Sequence, residues 1–454
     1  MSYRICCIGA GYVGGSSMII MADSCPGLQI NVVDHDKQRI DSWNNLMAKD
    51  LPIYEPGLDE IHKRVLGKSL FFSTDVELYI KNADMVLITV NTPTKVNGHG
   101  AGEAADLTNI ELAARTIAEF ARGTTIVVER STIPVRTADV LKGIFRKNSS
   151  ENIHILSNPE FMAEGSAVQD LIAPDRVLIG GDDQRAIDEL AGIYQHWVPS
   201  ERILRTNLWS AELAKLTANA FLAQRISSVN TIAALCESSG AHIDEVAQAI
   251  GADRRIGHHF LRAGPGFGGS CFRKDLLNLV YLCHYFGLPD VANYWRSVLT
   301  INDWSRARIS ELIIKKLFST LCGKKIVILG FTFKPRTNDI RESPAINICQ
   351  DFLDEGAMLS IHDPMATIES IHQALSWHSP SSVTFNQDLM SSFREADAAV
   401  LLTEWPIYLK LDWKLLSSYM RSPAWFFDTR NVLNRAELEN YGLNLWSIGF
   451  GGIQ

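Results

Sequence analysis

The sequence contains no run of about 18 consecutive apolar residues, the least that a membrane-crossing helix requires. Nor does a secretory leader open it: Met1-Ser2-Tyr3-Arg4 passes directly into an apolar strand. Positive charge is also short. Lys and Arg total 43 against 51 Asp and Glu, a net charge of −8, and the isoelectric point is about 5.9. No basic tract stands out, which argues against a partner made of nucleic acid or an anionic membrane surface. Cysteine is sparse, with eight in 454 residues and none in C-x-x-C spacing. That excludes a disulfide scaffold and paired zinc ligands. It fits a reducing cytosol, so a cytoplasmic protein is expected. His258 and His259 are adjacent and would not share a face as metal ligands usually must, so no metal is assigned. What remains is ordinary for a globular protein: 46% apolar and 21% charged residues, in a length that suggests two to four domains.

The most informative stretch is Gly264-Pro265-Gly266-Phe267-Gly268-Gly269-Ser270-Cys271-Phe272-Arg273-Lys274-Asp275. Four glycines in six residues permit positive φ and close approach of the backbone to a ligand. The apolar pattern of Leu276, Leu277, Leu279, Val280 and Tyr281 predicts a helix from Phe272 to Leu282. Cys271 then stands at its N-terminus, where the helix dipole favours a thiolate. Asp275, four residues on, shares its face. A glycine cradle, a nucleophile and a carboxylate one turn away suit covalent catalysis. A buried structural cysteine beside a turn is the plainer alternative.

The first third carries a dinucleotide fingerprint. A strand from Tyr3 to Ile8 precedes Gly9-Ala10-Gly11-Tyr12-Val13-Gly14, an apolar helical stretch runs from Gly15 to Ala22, and a second strand ends at Asp34, twenty residues past Gly14. In this setting Gly9 makes the turn, Gly11 lets the backbone reach a pyrophosphate, and Gly14 lets helix and strand pack closely. The pyrophosphate sits on free N–H groups at the helix N-terminus. Asp34 accepts the ribose 2′-hydroxyl, which selects NAD over NADP; otherwise it is a strand-end turn residue. Arg39 lies near the adenosine or is a solvated helix charge. Strands at Met85–Val90, Thr125–Val128, Ile153–Leu156 and Val177–Gly180 alternate with helices such as Leu107–Arg122 and Val135–Phe145. This predicts a mostly parallel sheet with ligands beyond the strands' carboxyl ends. Polar clusters fall at three of those ends: Val90 to Thr94, Glu129 to Thr132, and Ser157 to Glu164.

In the middle, Ser210 to Leu235 reads as one helix, apolar nearly all round and so buried in a core or an interface, with Ser210 as N-cap and Glu212 in its first turn. Lys215 and Asn219 share a face of it; the lysine is paired, used, or snorkels to solvent. A shorter helix, Ile243 to Ile250, follows. The last third repeats the α/β pattern with strands at Lys324–Gly330, Met358–His362, Ala398–Leu402 and Trp425–Asp428, and a helix after Ser343. It lacks the full glycine fingerprint. Its strand-end cations Lys334, Arg341 and Arg430 suit a pyrophosphate, or are surface charge; Asp339, Arg341 and Glu342 have the option of pairing among themselves.

Across nearly its whole length the chain resembles the UDP-glucose/GDP-mannose dehydrogenase family. The resemblance is carried by Gly266 to Asp275, by Leu156-Ser157-Asn158-Pro159-Glu160-Phe161, by Lys215-Leu216-Thr217-Ala218-Asn219-Ala220-Phe221, and by Gly330-Phe331-Thr332-Phe333-Lys334. It implies an α/β protein of two Rossmann-like, doubly wound parallel-sheet domains joined by a central helical domain with one long helix. The expected boundaries are 1–208 for NAD, 209–312 for the helical dimerisation domain carrying Cys271, and 313–454 for the sugar nucleotide. The activity implied is a four-electron oxidation of UDP-glucose at C6 to UDP-glucuronate, with two NAD consumed. Cys271 would form a thiohemiacetal and then a thioester. Asp275 and Lys215 would serve proton removal, Lys215 and Asn219 the oxyanion, and Glu160 with Thr132 the hydrolytic water.

The family's cofactor contacts map onto Gly9, Ala10, Gly11, Tyr12, Val13, Gly14, Asp34, Arg39, Val90, Asn91, Thr92, Pro93, Thr94, Ser131, Thr132, Glu164 and Arg341. Its substrate contacts map onto Glu160, Phe161, Met162, Ala163, Glu164, Lys215, Asn219, Arg255, Arg262, Gly266, Phe267, Gly268, Phe333, Lys334 and Arg430. Arg255 matches an arginine that reaches a neighbouring subunit's site, implying at least a homodimer with the long helix at its centre. Departures are Ser16 for a usual proline, Arg130 for a usual lysine, and Arg262 where animal members carry lysine. Gln454 follows the last strand with no long tail. The same chemistry on TDP-glucose, GDP-mannose or UDP-N-acetylmannosamine is the alternative. A two-electron dehydrogenase sharing only the fold would not need the thiol, and a catalytically dead binding protein would not need the set Cys271, Asp275, Lys215 and Glu160.

Overall fold

Apolar strands alternating with helices become two sheets, one mostly and one wholly parallel, each in its own compact unit. The computed structural model describes residues 3–45, 47, 51–148, 152–376, 380–386 and 388–451. Met1, Ser2 and Gln454, on which the expectations about the chain's two ends rest, lie outside these. The first unit comprises Met1–Ala218 and Leu277–Gly287; the second comprises Asn219–Leu276 and Leu288–Gln454.

The first unit holds β1 (Tyr3–Ile8), β2 (Leu28–Val33), β3 (Leu70–Ser73), β4 (Met85–Ile88), β5 (Thr125–Glu129), β6 (Ile153–Ser157), β7 (Val177–Gly181) and β8 (Ile203–Thr206). Their order is β3-β2-β1-β4-β5-β6-β7-β8. Every neighbouring pair is parallel except β6 with β7. The order reverses direction between β1 and β4, which is where an open α/β sheet accepts a ligand. Alternate residues of β1 serve two cores: Ile5 and Cys7 pack on one face, Cys6 and Ile8 on the other. Burial pushes both thiols up, Cys7 to about 11. β3 and β8 were not evident from the sequence: they are the sheet's two edge strands, only partly buried, and lack the fully buried apolar run that marks a central strand such as β4.

The second unit holds β9 (Lys325–Leu329), β10 (Met358–His362), β11 (Val383–Phe385), β12 (Ala398–Leu401), β13 (Trp425–Asp428) and β14 (Asn444–Ser447), all parallel, in the order β11-β10-β9-β12-β13-β14. Gly330 ends β9 as Gly9 ends β1, with φ +91° and its N–H donating to His362 O at 2.8 Å. A Cβ there would lie 2.4 Å from Thr403 Cβ, so only glycine fits. The helix after Ser343 begins as expected, at Pro344, with the Ser343 hydroxyl accepting from Ala345 N–H at 3.3 Å.

The long helix runs from Leu208 to Ser239, two residues earlier and four later than the sequence pattern indicated. Its cap is not Ser210: the Asn207 side chain accepts the Ser210 N–H at 2.8 Å, so Ser210 is already helical. Glu212 does not serve this helix either. Its carboxylate accepts the backbone N–H groups of Arg136 and Ala138, at 2.6 and 2.8 Å, and so caps the helix Thr137–Asn148. Leu216, Ala220, Ala223, Val229 and Ala233 are buried, whereas Trp209, Leu213, Phe221, Ile232 and Leu235 are exposed.

Candidate active site

In the first unit the glycine turn is built as its spacing requires. Gly9 has φ +107°, and a Cβ on it would sit 2.8 Å from Thr89 O. A Cβ on Gly14 would sit 2.0 Å from Gly9 O, which is why helix and turn approach only with glycine there. Around Gly11 there is nothing within 4 Å of such a Cβ. Gly11 caps the helix Tyr12–Ser24 without a side-chain hydrogen bond, and no acid lies in the first turn. Open backbone and unscreened N–H donors fit a pyrophosphate. Ser16, at the family's proline position, returns its hydroxyl to Tyr12 O at 2.6 Å and does not disturb the helix start.

Asp34 lies at the end of β2 with its side chain 5% exposed. Its carboxylate accepts from Ala10 N–H at 2.9 Å, Asp36 N–H at 3.0 Å and Arg39 Nη1 at 3.2 Å. Burial alone would raise its pKa. The Asp36 and Ala10 amides, with Arg39, overcome that and hold it below the usual range, so it stays an acceptor. Arg39 is thus half-exposed and ion-paired to Asp34 and Asp36, the latter at 3.4 Å.

The loops after β4, β5 and β6 are cross-linked. Thr92 Oγ1 donates to Thr132 O at 2.8 Å, Ser131 Oγ to Val90 O at 2.7 Å, and Asn109 to Asn91 O at 3.0 Å. The Asp106 amide closes on Pro93 O at 2.7 Å, and Thr94 bridges Ala105. Buried Arg130 uses several arms of its guanidinium: it ion-pairs Glu160 and reaches Asn158 Oδ1 at 2.6 Å, the Tyr194 hydroxyl at 2.7 Å and Ser17 Oγ at 3.2 Å. A lysine has no planar fork to do this. The other oxygen of Glu160 accepts from Phe161 and Met162 N–H at 2.7 and 3.0 Å. Arg176 lies 3.9 Å from the centre of the Phe161 ring, and Lys215 Nζ 5.4 Å from it. The structure therefore brings half-buried Lys215 to the Glu160–Phe161 segment.

Glu129, which ends β5 next to Arg130, was read from the sequence only as one of a polar strand-end cluster. It is 1% exposed, and among the described residues no donor reaches either oxygen. Burial, then the charge of Glu212 and a hydrogen bond shared with it, push its pKa well up. A proton on Glu129 donated to Glu212 resolves the pair. A carboxyl with a raised folded pKa gives its full stabilisation below the unfolded pKa, about 4.3 for Glu, and loses it as pH rises through the folded pKa. Glu129→Gln keeps a donor at every pH. Its urea-unfolding stability should gain on the wild type from pH 5 to pH 8, reaching about 1–3 kcal/mol. A difference that stays flat across that range would show Glu129 to be ionised.

In the second unit, the backbone carbonyl of Cys271 accepts the Asp275 N–H at 2.9 Å, making Cys271 the N-cap of the helix Phe272–Tyr285. The thiol is exposed, with Ser270 Oγ 3.4 Å away. Asp275 is 1% exposed; its carboxylate accepts from Asn219 Nδ2 at 2.6 Å, and Lys274 Nζ is 3.7 Å off.

The glycine cradle packs on protein, not on open space. A Cβ on Gly266 would meet Asn302 Oδ1 at 2.7 Å, one on Gly268 the Glu342 carbonyl at 2.5 Å, and one on Gly269 the Phe333 ring at 2.9 Å. Two residues missed in the sequence do the holding. Asn302 accepts from Phe267 N–H at 2.8 Å and donates to Phe267 O at 3.2 Å. Arg306, one turn on, donates to Phe267 O at 2.6 Å and Glu342 O at 3.0 Å. Both are buried on the helix Pro289–Lys316, and the four-residue spacing of an amide and a guanidinium was their only signal.

Among the strand-end cations, Arg341 pairs with Asp339 through contacts of 2.7 to 3.0 Å, the pairing foreseen as the alternative. Lys334 Nζ lies 5.3 Å from the Phe333 ring centre. Arg430 donates to Leu402 O at 2.7 Å and lies 3.1 Å from where a Gly264 Cβ would stand. Arg255 pairs with Asp253 at 2.5 Å and is 84% exposed, and Arg262 is exposed.

Three models of one family match the chain. They are described as the UDP-glucose/GDP-mannose dehydrogenase family's NAD binding domain over residues 3–198, central domain over 209–304 and UDP binding domain over 327–435. UDP-glucose 6-dehydrogenase 3 of Oryza sativa subsp. japonica is 50% identical, covering 98% of this chain and 97% of its own. A UDP-glucose dehydrogenase structure from Pyrobaculum islandicum superposes with a TM-score of 0.87 at 29% identity, over 100% of this chain and 98% of that one. A UDP-D-ManNAc dehydrogenase structure from Pyrococcus horikoshii gives 0.82 at 26%, over 99% and 100%.

Proposed function

Since the chain belongs to the UDP-glucose/GDP-mannose dehydrogenase family, we propose that it oxidises UDP-glucose at C6 to UDP-glucuronate, with NAD as cofactor. The observation that carries this is the exposed Cys271 thiol at a helix N-cap, with buried Asp275 one turn on, in a chain half identical to a UDP-glucose 6-dehydrogenase. NAD, when bound, accepts the hydride released at each of the two oxidations. Asp275, through a water and with Lys215, takes the C6 hydroxyl proton as the first hydride leaves. The Cys271 thiolate adds to the resulting aldehyde carbon, giving a thiohemiacetal whose oxyanion Lys215 and Asn219 stabilise. Loss of the second hydride restores the C=O bond and leaves a thioester. Water, assisted by Glu160 and held by Thr132, adds to that carbon. The C–S bond then breaks, returning the thiolate and releasing the acid.

Residues 1–208 serve NAD, 209–312 carry Cys271 and the subunit contact, and 313–454 serve the nucleotide, in step with the three family matches. Asp34, already an acceptor, supports NAD over NADP. The exposed Leu213, Phe221, Ile232 and Leu235 on the long helix support a homodimer, since a stripe of large apolar residues calls for a partner. Among the described residues no helix is long and apolar enough to cross a membrane; eight free cysteines support a reducing, cytoplasmic setting. NADH counted against sugar consumed, for UDP-glucose, TDP-glucose, GDP-mannose and UDP-N-acetylmannosamine, tests this. Two NADH per sugar and fastest turnover of UDP-glucose are expected. One NADH per sugar, or faster turnover of another nucleotide, would overturn it.

A further inference from the structure

Glu55 is buried, 5% exposed, and was not noticed in the sequence. Its carboxylate collects donors from two separate segments of the first unit. The Tyr12 hydroxyl donates to Oε1, as does the Gly165 N–H, and the Ala167 N–H donates to Oε2 at 3.1 Å. Tyr12 opens the helix that follows the Gly11 turn, while Gly165 and Ala167 follow Glu164 and open the helix Ala167–Ile172. Burial, followed by the hydrogen bond and charge of Glu55, pushes the Tyr12 phenol far up, so it remains a donor. All the groups named are donors, and only an ionised carboxylate meets them without presenting a hydrogen of its own. A second link joins the same parts: Ser16 Oγ reaches Met162 Sδ at 3.5 Å.

We propose that Glu55 is a positioning residue tying the cofactor turn to the 160–167 segment, so that NAD and the sugar nucleotide each tighten the other's binding. This rests on the dehydrogenase function above and on the contacts the family resemblance implies, Gly11–Val13 for NAD and Phe161–Glu164 for the sugar nucleotide. A phosphate on the open N–H groups fixes the first turn of the helix. Tyr12 moves with that turn, and Glu55 carries the restraint to Gly165 and Ala167. The second ligand then meets a segment already ordered, and its binding no longer bears that entropy cost. By linkage the effect is equal in both directions.

Calorimetric titration of the full-length protein with NAD and UDP-glucuronate tests this, because the acid is not oxidised further. In the wild type each ligand should lower the other's Kd by about fivefold or more, the lower end of common coupling. Glu55→Gln, of the same size, places an N–H against a donor and should cut the factor below about twofold. Tyr12→Phe severs only the tie to the turn, leaves the Gly165 and Ala167 bonds and their fold, and should do the same. The double variant should lose nothing more. A factor kept by either variant, or one already near unity in the wild type, would overturn the tie alone. Wild-type protein that bound neither ligand would instead remove the dehydrogenase function, and the tie with it.

Discussion

Cys271→Ser is expected to abolish acid formation, by at least about a thousandfold, while NAD binding stays within about twofold of the wild type. The argument begins with position. Cys271 is the last residue before a helix, its carbonyl already accepting the first helical hydrogen bond and its thiol exposed. Serine caps helices well, so the substitution leaves the local fold intact. What changes is the nucleophile. A hydroxyl without an adjacent base is a weak nucleophile at neutral pH, and an oxygen ester in place of the thioester would be harder to form and to hydrolyse. The groups proposed for NAD, at Gly9 to Gly14 and Asp34, belong to the first unit and keep their own hydrogen bonds. Cys322 provides the control, being also exposed but placed just before β9, and Cys322→Ser should turn over at the wild-type rate. The covalent step has its own readout, an adduct mass on the peptide containing Cys271 when the wild-type enzyme is quenched during turnover. Acid produced at the wild-type rate by Cys271→Ser would end the covalent scheme.

How much of this was legible in advance depended on how local each cause was. Gly14 strikes Gly9, five residues before it, and Gly11 between them faces open space, so the spacing reported their roles; Thr89, which a Gly9 Cβ would strike, lies 80 residues on, after β4, and left no local signal. Cys271 and Asp275 were legible because one turn of helix joins them. The cradle glycines were seen but their reason was not. They make room for Asn302, Phe333 and the Glu342 carbonyl, contacts made 36 or more residues away in sequence, which no local pattern encodes. Glu212 misled for the same reason. An acid near a helix start reads as that helix's own dipole partner, yet it caps Thr137–Asn148, about 75 residues earlier. The direction of β7 against β6 leaves no mark in composition at all. Glu55 was missed, and Glu129 was seen only as part of a polar strand end, because a buried carboxylate and a solvated one look alike in a sequence. Only the donors gathered around the first, and their absence around the second among the described residues, tell them apart.

Asp275→Asn should lower kcat by about 10² to 10⁴ while KM for UDP-glucose changes less than about threefold. A carboxylate with 1% exposure is expensive to bury unless something offsets it. Here the offsets are the Asn219 amide at 2.6 Å, the nearby Lys274 ammonium and the positive end of its own helix. Those groups keep the side chain in one place beside the turn that carries Cys271, which is what a proton acceptor for the C6 hydroxyl needs. Asparagine keeps the shape and removes the charge. Rotation of its amide still lets Oδ1 accept from Asn219, so the loss of stability should stay near 1 kcal/mol, the net worth of an ordinary hydrogen bond. A purely structural Asp275 would therefore show that small loss in thermal unfolding and a kcat within about tenfold of the wild type. A kinetic loss of a hundredfold or more in a protein that melts within a few degrees of the parent separates the two roles, because about 1 kcal/mol of stability leaves the folded fraction at 25 °C almost unchanged. The first oxidation alone, followed in a single turnover at limiting NAD, should be slowed as much as the overall reaction. If only the second oxidation slowed, Asp275 would be serving the thiohemiacetal and not the C6 hydroxyl.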